Sequence, residues 1–375
     1  MKVIATFFAL TLAAAPAWTQ CRKLAEINAT TPEGELLQKA SLQEDAAQKI
    51  ALQEQFVAQY PQHEAAGWVY EQLLIGYVKA GQPDKALAIG EKLDAMQPAC
   101  VEDAQQTLKA AEAKKDPDLV LKWSARTSEL ADKVIASPKP QDADAVEAWK
   151  ARVDYAGQVK TYAEYSLYAM ALATTDPKKQ VALIEAFQQR YPKSQYLPKT
   201  TETLFVAYQK SGDTDKAVAL AQHVADTGAP SDEMLLVLIQ DAVKRKERDK
   251  VHAFSAKLVD VEAANAKPEG VADADWTKRK NSILMFAYDV NGEQYFNEGK
   301  LAQADQDLRK ALPLVEDGNP AKPEVLFYLG LANYKMQKAQ DAYNYFKACA
   351  GMRSPFQAQA TKNLTAMKSQ YHGLK

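Results

Sequence analysis

Residues 50–98 and 181–229 of this 375-residue chain align without a gap, 131 positions apart (Gly81 against Gly212). Phe56 meets Phe187, Tyr60-Pro61 meets Tyr191-Pro192, Leu73 meets Leu204 and Tyr77 meets Tyr208. The phrases GQPDKALAIG (Gly81–Gly90) and GDTDKAVALA (Gly212–Ala221) fall opposite one another. A match that runs through helix, proline break, helix, glycine turn and helix is the signature of a stacked repeat array. It is a strong constraint, because a repeat unit of this size buries its apolar face only against its neighbours.

The unit reads as helices. Tyr70, Leu73, Leu74 and Tyr77 in one copy, and Leu204, Phe205 and Tyr208 in the other, recur at three- and four-residue steps, one face of an α-helix. Gly81 and Gly212 are expected to end that helix in the left-handed conformation, which glycine adopts without a Cβ clash. Asp84 and Asp215 fall in the first turn of the next helix, where negative charge suits the dipole. Ala86 and Ala217 are small enough for two antiparallel helices to approach closely, and Pro98 and Pro230 stop that second helix.

These positions resemble the tetratricopeptide repeat (TPR), a 34-residue helix–turn–helix unit with Leu, small, Tyr, Gly and Ala at set places. Residues 323–355 match with Leu326, Leu329-Gly330, Ala342, Phe346 and Pro355. The unit from Met285 matches with Tyr288, Gly292, Tyr295, Gly299, Ala304, Leu308 and Ala311. Two departures stand out: Leu74 and Phe205 replace the small residue of the first helix, and Gln337 replaces the turn glycine. Further units are expected at Ser231–Val261, with Val251 in the alanine position, and at 155–189. Two more helical runs lie between Val101 and Ile135, split at Asp116-Pro117-Asp118. Ala136–Ala145 and Asn265–Asp275, rich in Pro and Asp, are the expected linkers. Phe356, Ala360, Leu364, Met367 and Tyr371 form one stripe of a terminal helix suited to cap the last repeat.

The resemblance therefore implies an all-α fold, a right-handed superhelical α-solenoid of antiparallel helix pairs with a C-terminal capping helix. The expected division is a signal peptide over 1–17, divergent repeats over 22–264, and a C-terminal repeat pair with its cap over 276–375. The signal is read from Lys2, the apolar run Val3–Ala15 and the small residues Ala15-Pro16-Ala17. Export to the periplasm or outside the cell is the corresponding expectation. Cys21 invites lipid anchoring, but Gln20 and Trp18 stand where a lipoprotein signal carries a small and a leucine-like residue, which argues against it. No later stretch has the apolar length of a spanning helix. With three cysteines, Cys21, Cys100 and Cys349, one disulfide and one odd thiol are allowed, and spacing alone does not pair them. Cys349 reads as a small buried hydrophobe.

Composition excludes several functions. A net charge of −2 supplies no field for nucleic acid, and the one basic run, Lys244–Lys250, is broken by Glu247 and Asp249 across an expected turn. His63, His223, His252 and His372 are far apart and form no metal motif. No phosphate loop and no nucleophile elbow occurs. No catalytic, cofactor or metal residue is assigned, and no enzyme is expected. The tyrosines at 155, 162, 165 and 168 read as packing residues. The resemblance implies binding of a protein or peptide partner on the first helices of successive pairs. Carried over, its inner positions give Trp68, Glu71 and Ile75, then Glu202, Val206 and Gln209, then Phe327, Leu331 and Tyr334. The last three form either an apolar groove or a surface covered by the terminal helix. The phrase FxxxYPxxxxA at Phe56–Ala65 also resembles cell-envelope assembly proteins, so a structural part of an envelope complex is the alternative. A repeat region serving an enzyme is a weaker one, since no part of the chain is free of helical repeats.

Overall fold

The computed structural model describes residues 21, 22, 24, 28–96, 98–371 and 374. The expected signal segment 1–17 and His372 lie outside the described residues. Among those described, seventeen α-helices and no strand occur, and no helix is long and apolar enough to cross a membrane. The chain divides into two compact units at Ser211/Gly212.

The first unit holds α1 (Pro32–Leu42), α2 (Ala46–Gln59), α3 (Ala66–Lys79), α4 (Pro83–Ala95), α5 (Val101–Lys114), α6 (Pro117–Ile135), α7 (Ala143–Ala173), α8 (Pro177–Arg190) and α9 (Leu197–Ser211). Each helix packs on the next as far as α9, and α3 also meets α5, α5 meets α7, and α6 meets α8. Helix starts are spelled out locally: Asp116 and Asp176 accept backbone N–H groups at the N-cap, with Pro117 and Pro177 as the first helical residues. The split expected at Asp116–Asp118 is the α5–α6 turn, and the expected linker 136–145 is mostly the loop before α7.

The duplication is repeated in atomic detail. The rings of Phe56 and Tyr60 lie 5.5 Å apart at 47°, and those of Phe187 and Tyr191 lie 5.5 Å apart at 47°. Tyr77 donates its hydroxyl to Glu54 at 2.5 Å, and Tyr208 donates to Glu185 at 2.8 Å. Phe56 and Phe187 are fully buried. Identical sequence at these points thus yields identical corners.

The second unit holds α10 (Thr214–Thr227), α11 (Asp232–Arg245), α12 (Arg248–Ala264), α13 (Asp273–Asn297), α14 (Leu301–Ala311), α15 (Lys322–Lys335), α16 (Ala339–Ala350) and α17 (Gln357–Gln370). The expected linker 265–275 is mostly the loop between α12 and α13. The basic run 244–250 spans the α11–α12 turn, where Arg245 pairs with Asp241 and Lys250 with Glu247.

One turn recurs in both units. Gly81, Gly212 and Gly299 have φ of 66°, 83° and 78°, as the glycine pattern requires. Lys115, Lys246 and Gln337 take the same conformation with φ of 53°, 61° and 62°, although each carries a side chain. Around Gly81, Lys246, Gly299 and Gln337 the closing bond is the same six-residue step. The N–H of Gln82, Glu247, Lys300 and Lys338 donates to the carbonyl of Tyr77, Ala242, Tyr295 and Asn333, each at 2.9 Å. The missing glycine at 337 therefore changes the residue but not the turn. After it, Ala86, Ala217, Ala304, Ala342 and Val251 are all buried at 0–1% exposure, as the close-approach position demands.

Candidate functional site

Of the nine candidate partner-binding residues, those on α15 are taken by the molecule itself. The ring of Phe327 lies 5.2 Å from Phe356 and 6.0 Å from Phe346. Phe327 and Leu331 pack in one cluster with Ala360, Leu364, Met367 and Tyr371 of the terminal stretch. Tyr334, more than a third exposed, donates its hydroxyl to Gln370 at 2.9 Å. The apolar stripe is thus the seat of α17 and not an open groove. Cys349 is buried beneath it as a free thiol that donates to the Pro323 carbonyl, and burial pushes its pKa up to about 11.

On α3, Trp68 is half-buried against the α1–α5 core and Ile75 is half-buried. Glu71 is committed. Its Oε1 accepts from Arg22 Nη1 at 2.8 Å, and the same nitrogen donates to Asp103 Oδ2 of α5 at 2.6 Å. Arg22 Nη2 donates to the carbonyls of Pro98 at 2.9 Å and Leu93 at 3.4 Å. Glu71 is 4% exposed, so it is not a surface contact, and its partner Arg22 has no signal in the sequence around α3. Burial, reinforced by Asp103 and opposed by Arg22, raises Glu71 to about 7, and burial raises Asp103 as well. Removing one member of such a buried cluster typically costs about 3–5 kcal/mol, because the remaining charges lose their partner.

The neighbour of Arg22 explains how it stays there. Cys21 forms a disulfide with Cys100, the residue before α5. That choice among three cysteines was open in the sequence. Closing a loop of 79 residues is worth about 4.5 kcal/mol on the chain-entropy model. Glu71, Cys100 and Asp103 together have metal-ligand spacing. Here the sulfur is in a disulfide and the carboxylates hold a guanidinium, so the cluster is an arginine site. The bridge also forms one wall of a cleft of about 920 Å³, with Val134, Trp149, Arg152 and Glu102 on the others. Burial raises Glu102 to about 7, with Arg152 opposing.

On α9, Glu202 and Gln209 are exposed and Val206 is half-buried. The tyrosines of α7 mostly pack: Tyr155 donates to Gln105 at 2.9 Å, Tyr162 donates to Glu112, and Tyr168 stacks on Tyr196 at 4.5 Å. Tyr165 is the exception at 52% exposure. In the second unit, Asp289 and Glu293 of α13 face Glu324 of α15. Burial, then repulsion from Glu324 and Glu293, lifts Asp289 to about 7, and Glu293 accepts from the Tyr328 hydroxyl at 3.0 Å. His252 is held by Asn291 at 2.6 Å and Glu298 at 3.0 Å and stacks on Tyr295.

No family model matches the chain, and no curated protein sequence matches it. Among solved structures it is similar to the P58(IPK) TPR domain, at 12% identity over 92% of this chain and 100% of that one, with a TM-score of 0.29. A tetratricopeptide repeat protein from Parabacteroides merdae gives 10% identity, 89% and 98% coverage and a TM-score of 0.26. Yeast Tom70 gives 11%, 92% and 97%, and 0.23. These scores are low. What marks the helix pairs as TPR-like is their own recurrent left-handed turn followed by a buried small residue.

Proposed function

We propose that this chain is an exported scaffold that binds a protein or peptide partner along the first helices of its pairs. The observation that carries the reading is the regular use of side chains. The second helix of each pair spends its alanine and large apolar positions on packing, whereas α3 and α9 keep Trp68, Ile75, Glu202, Val206 and Gln209 at least partly accessible. A series of helix pairs that leaves side chains of its first helices accessible suits recognition of an extended or helical segment.

The test is site-specific photo-crosslinking in the producing cell. A crosslinker at Trp68, Ile75, Val206 or Gln209 is expected to give a discrete adduct, and one at Lys85 or Glu91 on α4 is not. Equal adducts from both helices, or none from the first, would sink the reading. Export is checked separately by the N-terminal mass of the protein recovered from those cells, which should begin after the apolar segment and carry no lipid on Cys21.

A further inference from the structure

The site around Arg22 has the form of a receptor with its ligand in place. One terminal nitrogen of the guanidinium, Nη1, donates to two carboxylates, Glu71 of α3 and Asp103 of α5, and the other, Nη2, donates to the carbonyls of Leu93 and Pro98. That set satisfies the four terminal N–H groups of a planar guanidinium, and an ammonium has neither the number nor the geometry to use it. The stem is accommodated as well: a Cβ added at Gly67 would lie 2.8 Å from Arg22 Cδ. The occupant comes from a short segment ahead of α1, 49 residues from Glu71 and 81 from Asp103, and it is fastened by the adjoining Cys21–Cys100 bond.

We propose that this slot is a guanidinium-binding site for an arginyl side chain, filled in the oxidised protein by the chain's own Arg22 and gated by the Cys21–Cys100 disulfide. Reduction by a dithiol adds two electrons and two protons to the bridge, leaving two thiols and the reductant as its own disulfide. Arg22 is then no longer tied to Cys100 through its neighbour Cys21. Its effective concentration at the slot falls, and an arginine of a partner segment competes for the same four acceptors. The inference rests on the binding-face reading only in that Glu71 lies on the α3 face. It is tested on purified protein without any partner, so either can fail alone.

Two measurements decide it. Arg22→Ala protein is melted with rising methylguanidinium, and with methylammonium at equal ionic strength. Methylguanidinium alone is expected to raise Tm saturably toward that of the parent protein. No rise, or an equal rise with both cations, overturns the site. Should the alanine variant not fold, Arg22→Gln carries the same titration. For the gate, phenylglyoxal labelling of Arg22 is followed by peptide mass against exposed Arg353. Dithiothreitol, or Cys21→Ser, should speed Arg22 labelling at least tenfold, and Gly67→Ala should do so with the disulfide intact. An unchanged rate after reduction overturns the gate.

Discussion

The α3–α4 pair and the α13–α14 pair share one plan with the bulk moved from one helix to the other. In the first, Leu74 on α3 is fully buried and α4 carries Gly90; in the second, Gly292 sits on α13 and Leu308 on α14 is fully buried. The space left by each glycine goes to a different neighbour. A Cβ at Gly90 would come within 2.1 Å of Thr107 on α5, whereas one at Gly292 would come within 2.7 Å of Leu308. The first pair thus uses its glycine to admit the next pair, and the second uses it to close upon itself. Leu74, which breaks the family's preference for a small residue, is therefore no defect: the close approach has moved to α4. The α15–α16 pair adopts the second scheme, with Gly330 against Phe346.

The pairs differ in charge as well. Glu71 on α3 and Asp289 on α13 are both lifted to about 7 by burial, yet only Glu71 has a guanidinium beside it.

The strongest way to break the comparison is Leu308→Ala, expected to destabilise by about 2–5 kcal/mol in a urea melt because it empties the space Gly292 provides. Adding Gly292→Leu should return part of that loss, since the two sites share one contact. Strict additivity in the double mutant would mean that the bulk exchange is drawn wrongly.

Next in size is a pH effect. Asp289 in the folded state holds its proton up to about 7, above its unfolded value, so the folded state binds more protons between roughly pH 4 and 7. Stability contributed by this group is greatest below that window and falls as pH rises through it. Asp289→Asn should remove about 1–3 kcal/mol of that decline. A decline of the same slope in the variant would show that other groups cause it.

Smaller still is Gly81→Val, expected to cost about 1–2 kcal/mol by forcing a β-branched residue into the left-handed region. Gln337→Gly should act in the opposite direction and by less than about 1 kcal/mol, relieving the same conformation at a turn without glycine. If both substitutions are neutral in thermal melts, the two turns are not equivalent.

Most of the fold was legible because its signals are local. A glycine or its substitute, an aspartate in the first turn of the next helix and a buried alanine sit within a few residues of one another, and each acts locally. Even the departures at Leu74 and Gln337 were visible as departures; their meaning needed the positions of Thr107 and the backbone at 337. The site was less legible for the opposite reason. Glu71 reads as an inner-face residue of α3, but it is buried against Arg22, which lies 49 residues away in a segment with no periodicity. The stripe on α15 reads as apolar in the sequence, but whether it is a groove or is covered depends on the docking of α17, which no local pattern carries. Asp289 and Glu324 converge from two helices, so their repulsion has no trace in either helix alone.

The Cys21–Cys100 bridge also fixes how load would travel along the molecule. Tension applied to the chain ahead of Cys21 and behind Cys100 passes directly through the sulfurs, leaving Arg22 and α1 to α4 out of the load path while Asp103 on α5 stays in it. Reduction would put that segment in series with the rest. At about 3.3–3.6 Å per extended residue, the 79-residue loop would add roughly 270 Å of slack. A single-molecule pulling trace should therefore gain one long extension step in the presence of reductant, and that step would mark the opening of the slot.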